Sequence, residues 1–540
     1  MLKDHLRSLI LTFGQKEISS EVPSSFSLEV PPEKRFGDFA TNAAMTWVKS
    51  SREKKNPHVI AEKLVEFLRT QDFCEKVEIA GPGFVNVFIK PKFFAEDLKE
   101  ILTAGEKFGQ NNLGNNKKVL LEFISANPTG PLTIANGRGG FGGDVLAHIL
   151  KWSGFNVATE YYVNDAGNQI EILGKSIQSV SGKIPDQEEF YKGEYIAELA
   201  QKYSDQIGAD AIETGSQFAK ILLENEIKPA VEKMGVKFNN WFSEKPLRET
   251  GGIENTLQFL KDKKLTYEKD GATWLETTKF GDDKDRVILK SAEQGGGPTY
   301  VLPDLMYHKN KFERGFSKLI DILGADHHGY VSRLKIGVKM LGYGDVEVIV
   351  TQMVKLIRNG QDVRMSKRAG NFELMDDLIK EVGADATRWF FIMRAWNTHL
   401  DFDLDLAKEQ SEKNPVYYVQ YAHARLANIL KKSQELFKNV SISEANFKLL
   451  IASSEVQLIH KLSVLPELIQ EIVGTYEVHK LTTYASEIAT CLHKFYDECY
   501  VLDEKNLELT CARLALVHAT KNVLKIILSD LIGVSAPEQM

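Results

Sequence analysis

Two segments of the 540-residue sequence combine residue types that can bind phosphate. In the first, an apolar strand ends at Ser125, a Pro-Thr-Gly-Pro turn follows, and a helix begins near Asn136 among glycines that include Gly137 and Gly139. Glycine permits close approach of the backbone, and the free N–H groups of a helix N-terminus attract anions. A glycine-rich helix packed tightly on a sheet has the same pattern, so the glycines alone leave both interpretations open.

The second segment is a cationic loop that begins Arg364, Met365, Ser366, Lys367 and continues Arg-Ala-Gly-Asn. Compact cations on a loop can hold pyrophosphate during displacement at phosphorus, a reaction that depends on electrostatics and positioning. Taken alone, the cluster is more typical of a solvated basic loop. Both segments are predicted at the carboxyl edge of one sheet, which favours a nucleotide site.

The two segments resemble the two signatures of arginyl-tRNA synthetases. The letters ANPTGPL and NGRG surround the first signature as in that family, and Arg-Ala-Gly-Asn is its form of the second. The chain departs from the family where a His-x-Gly-His tetrad is replaced by residues 133–136, Thr-Ile-Ala-Asn. Thr133 and Asn136 retain uncharged hydrogen-bond donors in place of the two imidazoles. The resemblance therefore implies ATP as a substrate, catalytic roles for Lys367, Thr133 and Asn136, and ATP contacts from these three residues and from Gly137, Gly139, Arg364, Met365 and Ser366.

The resemblance also implies a pocket for arginine. A planar guanidinium is recognised by carboxylates, because bidentate pairing separates arginine from lysine. The matching acidic and polar positions are Glu122, Asn127, Asn164, Tyr300, Asp304 and His328. Any one of these acids alone would more often be a cap or a surface charge. Their occurrence together in matching context favours substrate binding.

Both ends of the chain resemble the RNA-binding domains of the family. Near the N-terminal end, Phe84 is expected to stack on an extruded base while Asn86 bonds to the edge of that base. Near the C-terminal end, Tyr417 and Tyr421 offer stacking faces, and Met540 is expected to line the anticodon pocket. Core packing is the alternative for Phe84 and for the two tyrosines.

Composition excludes several classes of protein. The net charge is −7 and the pI is near 6.0, so RNA must be bound by local patches rather than by a broad basic field. The sequence has no apolar run of 18 residues and no signal peptide, which predicts a cytoplasmic protein without a membrane partner. The cysteines form no CxxC pair, so neither disulfides nor a metal site are expected.

The elements that position these residues predict an α/β fold of three domains. Residues 1–113 are expected to form an α+β domain that contacts the tRNA elbow. Residues 114–400 are expected to form a Rossmann-like, doubly wound parallel sheet of the class I type, with RVILKS, LIDILGA and VEVIVTQ as strands and about 180–265 as an insertion. Residues 401–540 are expected to form an all-α anticodon-binding bundle.

These features together predict an arginine–tRNA ligase. Arginine and ATP would form arginyl-adenylate and pyrophosphate, and the 3′ end of the arginine tRNA would then accept the arginyl group. Mg²⁺ would accompany ATP with no tightly bound cofactor, and a monomer is expected. One alternative is a non-catalytic tRNA-binding regulator that lost its donors at the first signature. Another is a class I synthetase for a different amino acid, which unpaired buried carboxylates disfavour.

Overall fold

The structure is a computed structural model that describes residues 1–31, 33–50, 56–363, 374–437, 442 and 445–540. The predicted ATP-binding residues of the second signature, Arg364, Met365, Ser366 and Lys367, lie outside these ranges.

The N-terminal region is an antiparallel sheet with helices packed on it, in the order β1-β2-β4-β3. Helix α3 begins where Asn56 accepts the N–H of His58 at 3.0 Å and Pro57 occupies the first turn. The elements are α1 Leu2–Glu17, β1 Leu28–Glu29, β2 Phe39–Thr41, α2 Ala43–Trp47, α3 Pro57–Arg69, β3 Cys74–Ala80, β4 Phe84–Ile89 and α4 Phe94–Ala104. The α+β prediction for this region is confirmed.

The central region alternates strands and helices around a parallel sheet. Its strands are β5 Lys118–Glu122, β6 Asn156–Val163, β7 Asn240–Ser243, β8 Thr266–Lys269, β9 Ala272–Leu275, β10 Arg286–Leu289, β11 Lys318–Leu323, β12 Val346–Val350, β13 Val354–Arg358, β14 Gln361–Asp362 and β15 Leu400–Asp403. Its helices are α5 Asn136–Trp152, α6 Asn168–Val180, α7 Glu194–Lys202, α8 Ala211–Leu222, α9 Lys228–Lys233, α10 Glu244–Glu249, α11 Gly252–Asp262, α12 Val301–Glu313, α13 Val331–Leu341, α14 Met375–Val382, α15 Ala384–Ile392 and α16 Leu404–Lys408.

The parallel sheet has the order β12-β11-β5-β6-β7 within the described ranges. Its central strand β5 is an apolar run buried on both faces, as expected of a parallel strand covered by helices. The chain order reverses beside β5, so the crevice at the carboxyl ends of β5 and β11 is the position where such folds bind ligands. The prediction of a doubly wound class I sheet is confirmed.

Two strand assignments from the sequence require correction. The stretch predicted as an insertion, 180–265, contains β7, which pairs in parallel with β6 as the edge strand of the main sheet. The run RVILKS forms β10, which pairs antiparallel with β9 in a separate small sheet. Four-residue strands carry too little pattern to show which sheet they join, because pairing partners are set by long-range contacts.

Helices α6, α7 and α8 enclose a small core of their own. Gly174 of α6 and Gly215 of α8 face each other so closely that a Cβ at either position would lie within 2 Å of the backbone of the opposing helix. The Tyr195 hydroxyl of α7 donates to the Thr129 carbonyl at 3.0 Å. The insertion is thereby joined to the turn that precedes the first signature.

The C-terminal region is a helical bundle, as predicted. Its helices are α17 Pro415–Leu436, α18 Ser453–Ser463, α19 Leu465–Thr475, α20 Lys480–Glu498 and α21 Leu507–Lys525. The chain end folds back on α17, where Gln420 donates to the Ser535 carbonyl at 3.0 Å and His423 Nδ1 lies 2.9 Å from the Pro537 carbonyl. Across the described ranges, no helix combines the length and apolar character needed to cross a membrane.

His460 of α18 is buried where the bundle meets the N-terminal region. Its ring lies 4.8 Å from the ring of Phe39 and 5.3 Å from that of Phe94. Its Nε2 atom has no hydrogen-bond partner among the described residues. Burial lowers the pKa of His460 to about 3, so the folded protein holds the imidazole neutral.

Acid is therefore expected to destabilise this interface. Because the folded pKa lies below the ordinary value of 6.5, stability is complete above that pH and is lost as the pH falls towards about 3. Between neutral pH and pH 4.5, protonation of this one histidine is expected to lower the free energy of unfolding by about 3 kcal/mol. Urea unfolding at pH 7.5 and at pH 4.5 should therefore show a smaller pH effect for His460→Leu than for the wild type. The exposed His58 provides the matched control, His58→Leu, which should retain the wild-type pH effect; equal effects in all three proteins would contradict the prediction.

Candidate active site

A cavity of about 660 Å³ opens at the carboxyl ends of β5, β6 and β11. Parallel strands converge at this edge, so residues that are distant in sequence meet here. Five of the six positions predicted to bind arginine line the cavity: Glu122, Asn127, Asn164, Tyr300 and Asp304. Glu122 ends β5, Asn164 follows β6, and Asp304 lies in the first turn of α12.

The histidine prediction requires correction, because His327 lines this cavity. His328 instead lines a neighbouring cavity of about 820 Å³, together with Trp396 and residues of β12 and α13. The two histidines are adjacent in a 3-10 turn, Ala325–Tyr330, where successive side chains point about 120° apart. The sequence alone could not show which of them faces the cavity.

Charged groups beneath the cavity are paired. Lys311 of α12 is fully buried, and its Nζ lies 2.5 Å from Glu122 Oε2 and 2.9 Å from Asp321 Oδ1. Burial raises the pKa of Glu122. Burial acts in the same direction on Asp321, but Lys311 and His308 outweigh it and hold the pKa of that carboxyl well below its ordinary value. Lys311 was not predicted from the sequence. The one feature that points to it is its spacing of seven residues from Asp304, which places both side chains on the same face of a helix.

Asp304 differs from the other carboxylates of the cavity, because no cation pairs with it in the described part of the chain. Burial raises the pKa of Asp304. Gln169 Oε1, a further polar atom of the lining, is buried without a hydrogen-bond partner among the described residues, whereas the Tyr330 hydroxyl interacts with the Asp304 carboxylate. Unpaired buried polar atoms carry a cost that a polar ligand would remove. Tyr300 lies at the mouth of the cavity, with 90% of its surface exposed.

Asn164 is oriented by the start of α10. With its NH2 group directed at acceptors, it donates to the Ala166 carbonyl and to Glu244 Oε2, each at 3.0 Å. The neighbouring Asp165 accepts from the Ser243 hydroxyl at the end of β7 and from the Lys245 N–H at 3.0 Å. Asp165 therefore holds two elements together, while Asn164 remains in the cavity lining.

The first signature forms the turn into α5. The Thr133 N–H and hydroxyl both donate to Asn136 Oδ1, at 3.0 and 3.3 Å. These donors determine the orientation of the amide, so its NH2 group remains a donor for an incoming anion. Gly137 is buried against Phe391 and Met375, with less than 3 Å of space for a Cβ, whereas Gly139 has room for one. Gly137 therefore fits the alternative in which the glycines allow α5 to pack tightly on its neighbours.

The chain beyond the second signature returns to the first. Leu374 forms an antiparallel bridge with Thr133, and the Met375 N–H donates to the Leu132 carbonyl at 3.1 Å. The described chain resumes at Leu374, so this bridge joins the first described residue after the second signature to the turn that begins α5.

Arg138 links α5 to the segment before β15. It is fully buried, and its guanidinium donates to the carbonyls of Arg394 at 3.2 Å, Ala395 at 2.5 Å and Thr398. Burial lowers the pKa of Arg138 to about 10. The sequence analysis passed over this arginine, which is visible only as the third letter of Asn-Gly-Arg-Gly.

The predicted RNA contacts differ in how accessible they are. Phe84 is 37% exposed, so core packing does not describe it, but Asn86 is only 6% exposed. Phe84 is therefore the accessible residue of this pair, whereas Asn86 is buried. The rings of Tyr417 and Tyr421 stack with centroids 6.4 Å apart beside a cavity of about 230 Å³, and Tyr421 is 41% exposed. Half of the Met540 surface is exposed.

Metal binding finds no support in the described ranges. Among those residues, no group of three or more histidine, cysteine or acidic side chains is arranged to hold an ion. The four cysteines, Cys74, Cys491, Cys499 and Cys511, are all free thiols.

Comparison with known families covers nearly the whole chain. Residues 2–89 match the arginyl tRNA synthetase N terminal domain, residues 97–391 the catalytic domain of class I (R) tRNA synthetases, and residues 419–540 the DALR anticodon binding domain. The arginine–tRNA ligase of Carboxydothermus hydrogenoformans is 44% identical, over 99% of this chain and 97% of that protein. Arginine–tRNA ligase 1 of Halalkalibacterium halodurans is 45% identical, over 95% of this chain and 94% of its own length. The solved arginyl-tRNA synthetase of Thermus thermophilus has the same fold, with a TM-score of 0.78 at 20% identity over the full length of both chains.

Proposed function

The chain belongs to the arginyl-tRNA synthetase family and has its activity, the ligation of arginine to tRNA with ATP, and we propose that the cavity at β5, β6 and β11 binds the arginine. Asp304 pairs with the guanidinium, while Tyr300 covers the mouth of the cavity. Glu122, Asn127 and Asn164 provide the remaining polar contacts. A buried carboxylate that meets a guanidinium forms a charge-assisted pair, which a lysine ammonium cannot match in geometry.

One observation supports this assignment most directly. Asp304 is a carboxylate without a cation partner in the described chain, in a cavity that also contains Gln169 Oε1, a buried acceptor without a hydrogen-bond partner among the described residues. A positively charged ligand that also donates hydrogen bonds fits this set. An apolar amino acid would leave the carboxylate unpaired.

The reaction has two steps. A carboxylate oxygen of arginine attacks the α-phosphorus of ATP and pyrophosphate leaves, which forms arginyl-adenylate. The terminal ribose hydroxyl of the tRNA then attacks the arginyl carbonyl, and AMP leaves with the electron pair of the broken bond. Asn136 donates to phosphate from the start of α5, and Lys367 and Arg364 hold the departing pyrophosphate. Gly137 lets α5 pack closely at its start, Gly139 permits close approach of the nucleotide to the backbone, and Met365 and Ser366 contact the nucleotide. Mg²⁺ enters with ATP and is held chiefly by its phosphates.

The two ends of the chain are assigned to the tRNA. Residues 1–113 contact the elbow through the exposed Phe84, and residues 401–540 read the anticodon through Tyr417, Tyr421 and Met540. Residues 114–400 carry the chemistry. A monomer in the cytoplasm accounts for these roles without a partner subunit.

ATP–pyrophosphate exchange that depends on arginine, followed by charging of arginine tRNA, tests the whole assignment. The exchange is measured with and without tRNA, because an enzyme that requires tRNA for activation would show no exchange in its absence. Absence of exchange under both conditions, together with retained tRNA binding, would favour the non-catalytic regulator. Exchange with another amino acid in place of arginine would contradict the assignment of the cavity.

Lys367→Ala is expected to lower the rate of adenylate formation at least about tenfold, with the arginine KM nearly unchanged. A cation that holds departing pyrophosphate acts in the transition state, so kcat should fall rather than KM rise. The measurement is the exchange rate at saturating arginine. Lys339 is an exposed lysine of α13, and Lys339→Ala is the matched control. An exchange rate for Lys367→Ala equal to that of the control would remove Lys367 from the mechanism.

A further inference from the structure

A row of one acidic and two basic side chains lies on the inner face of α12. Asp304, His308 and Lys311 are spaced by four and three residues, which places them on one side of the helix. The row faces two carboxylates of the neighbouring strands, Glu122 on β5 and Asp321 on β11. Lys311 contacts both acids, and His308 contacts Asp321.

His308 is placed between two acceptors. Its Nδ1 lies 2.8 Å from the Asp304 carbonyl, and its Nε2 lies 2.8 Å from Asp321 Oδ2. A neutral imidazole carries one N–H, so donation in both directions requires a proton on each nitrogen. Both ring nitrogens of His308 thus face acceptors, and the imidazole ties α12 to Asp321 on β11.

Other buried acids near the cavity are already neutralised. Glu160 receives a bidentate pair from Arg314, at 2.5 and 2.8 Å, and Glu244 lies 2.6 Å from Arg248 Nε. The central set then contains three carboxylates, Glu122, Asp321 and Asp304, with Lys311 bound to the first two and His308 bound to Asp321. Within the described chain, Asp304 is the member of this set that lacks a direct cation partner.

We propose that Lys311 is an internal counter-cation that offsets one buried carboxylate charge beneath the arginine pocket and, with His308 holding Asp321, keeps Glu122 in place for the guanidinium. The inference rests on the proposed function of the cavity. Both oxygens of Asp321 are engaged, Oδ1 by Lys311 and Oδ2 by His308, and only 2% of its surface is exposed, so we assign Asp321 to holding these two groups. Lys311 acts through these carboxylates and is therefore a positioning residue.

The physical reason is the cost of unbalanced buried charge. Without Lys311, Glu122 and Asp321 would face each other in a site with little water, and one of them would take up a proton or turn away. Either response alters the carboxylates that meet the guanidinium. If one of these carboxylates is removed together with Lys311, the net charge is the same as in the wild type. The remaining carboxylate then has no reason to take up a proton or turn away.

The test compares a single with a double substitution. Lys311→Met is expected to raise the arginine KM at least about 30-fold while the ATP KM stays within about threefold. Lys311→Met combined with Asp321→Asn is expected to bind arginine within about tenfold of the wild type, because the charge is again balanced. Lys311→Met combined with Asp304→Asn has the same net charge and is the matched control. Its arginine KM should stay high, because Asp304 is proposed to contact the substrate.

Two results would overturn the proposal. One is a double variant with Asp321→Asn that is no better than Lys311→Met alone. The other is an equal loss for arginine and ATP with a lower melting temperature, which would assign Lys311 to the stability of the fold. If Lys311→Met alone does not fold, the charge-balanced double variant must still fold and bind arginine within about tenfold of the wild type. A wild-type protein without arginine-dependent exchange would instead refute the proposed function.

Discussion

Asp304→Asn is expected to weaken arginine binding by roughly 2–4 kcal/mol, a rise in KM of about 30- to 1000-fold. The substitution preserves shape but turns a charge-assisted pair into a neutral one. It also places an NH2 group where the guanidinium requires acceptors. The ATP KM should change far less, because Asp304 lies on α12 and the first signature lies at the start of α5.

The measurement is the arginine KM in pyrophosphate exchange, with the ATP KM determined in parallel. Asp326 is a suitable control, because it is an exposed acid beside His327 at the same edge of the sheet. Asp326→Asn removes the same charge from the vicinity without removing a buried partner, so its arginine KM should stay near that of the wild type. An equal loss for both substrates in Asp304→Asn would mean that Asp304 stabilises the fold instead.

Asn136→Leu is expected to lower kcat/KM for ATP by roughly 2–4 kcal/mol, the scale of losing one preorganised donor to a developing negative charge. The leucine side chain has a similar shape and no donor. Asn136→Asp should cost at least as much, because a carboxylate would then face the phosphates. The arginine KM should be nearly unchanged in both variants.

Thr133 is expected to act through Asn136. Its N–H and hydroxyl hold the amide oxygen, so Thr133→Val removes one of two bonds that orient the amide. The loss in kcat/KM for ATP should therefore be smaller, about 1 kcal/mol. If neither Asn136→Leu nor Thr133→Val alters aminoacylation, both residues are scaffold, and the phosphates are held by Lys367 and backbone N–H groups.

The departure at the first signature therefore has a structural interpretation. Two residues that differ from the family's histidines form one small unit, in which a threonine orients an asparagine. The unit adjoins Leu374, where the chain returns from the second signature. The described chain thus returns to the N-terminus of α5 three residues after the second signature ends.

The sequence by itself determined the features that depend on local pattern. Period-two and period-3.6 patterning predicted the α+β region, the βαβ unit around β5 and α5, and the helical bundle. The six pocket positions were predicted from the resemblance to the family, and five of them line the cavity, because residues that end parallel strands or begin the following helices meet at one edge of the sheet. Arginine as the substrate followed from these acids in matching context.

Only the tertiary structure decided which residues have partners and which surfaces are open. Lys311 meets Glu122 across 189 positions of sequence, a pairing that no local pattern encodes. The choice of His327 over His328, the exposure of Phe84 beside a buried Asn86, and the joining of β7 to the main sheet each depend on neighbours from distant parts of the chain. Local pattern determines the face of an element on which a residue lies, whereas its partners and exposure depend on what the rest of the chain packs against that face.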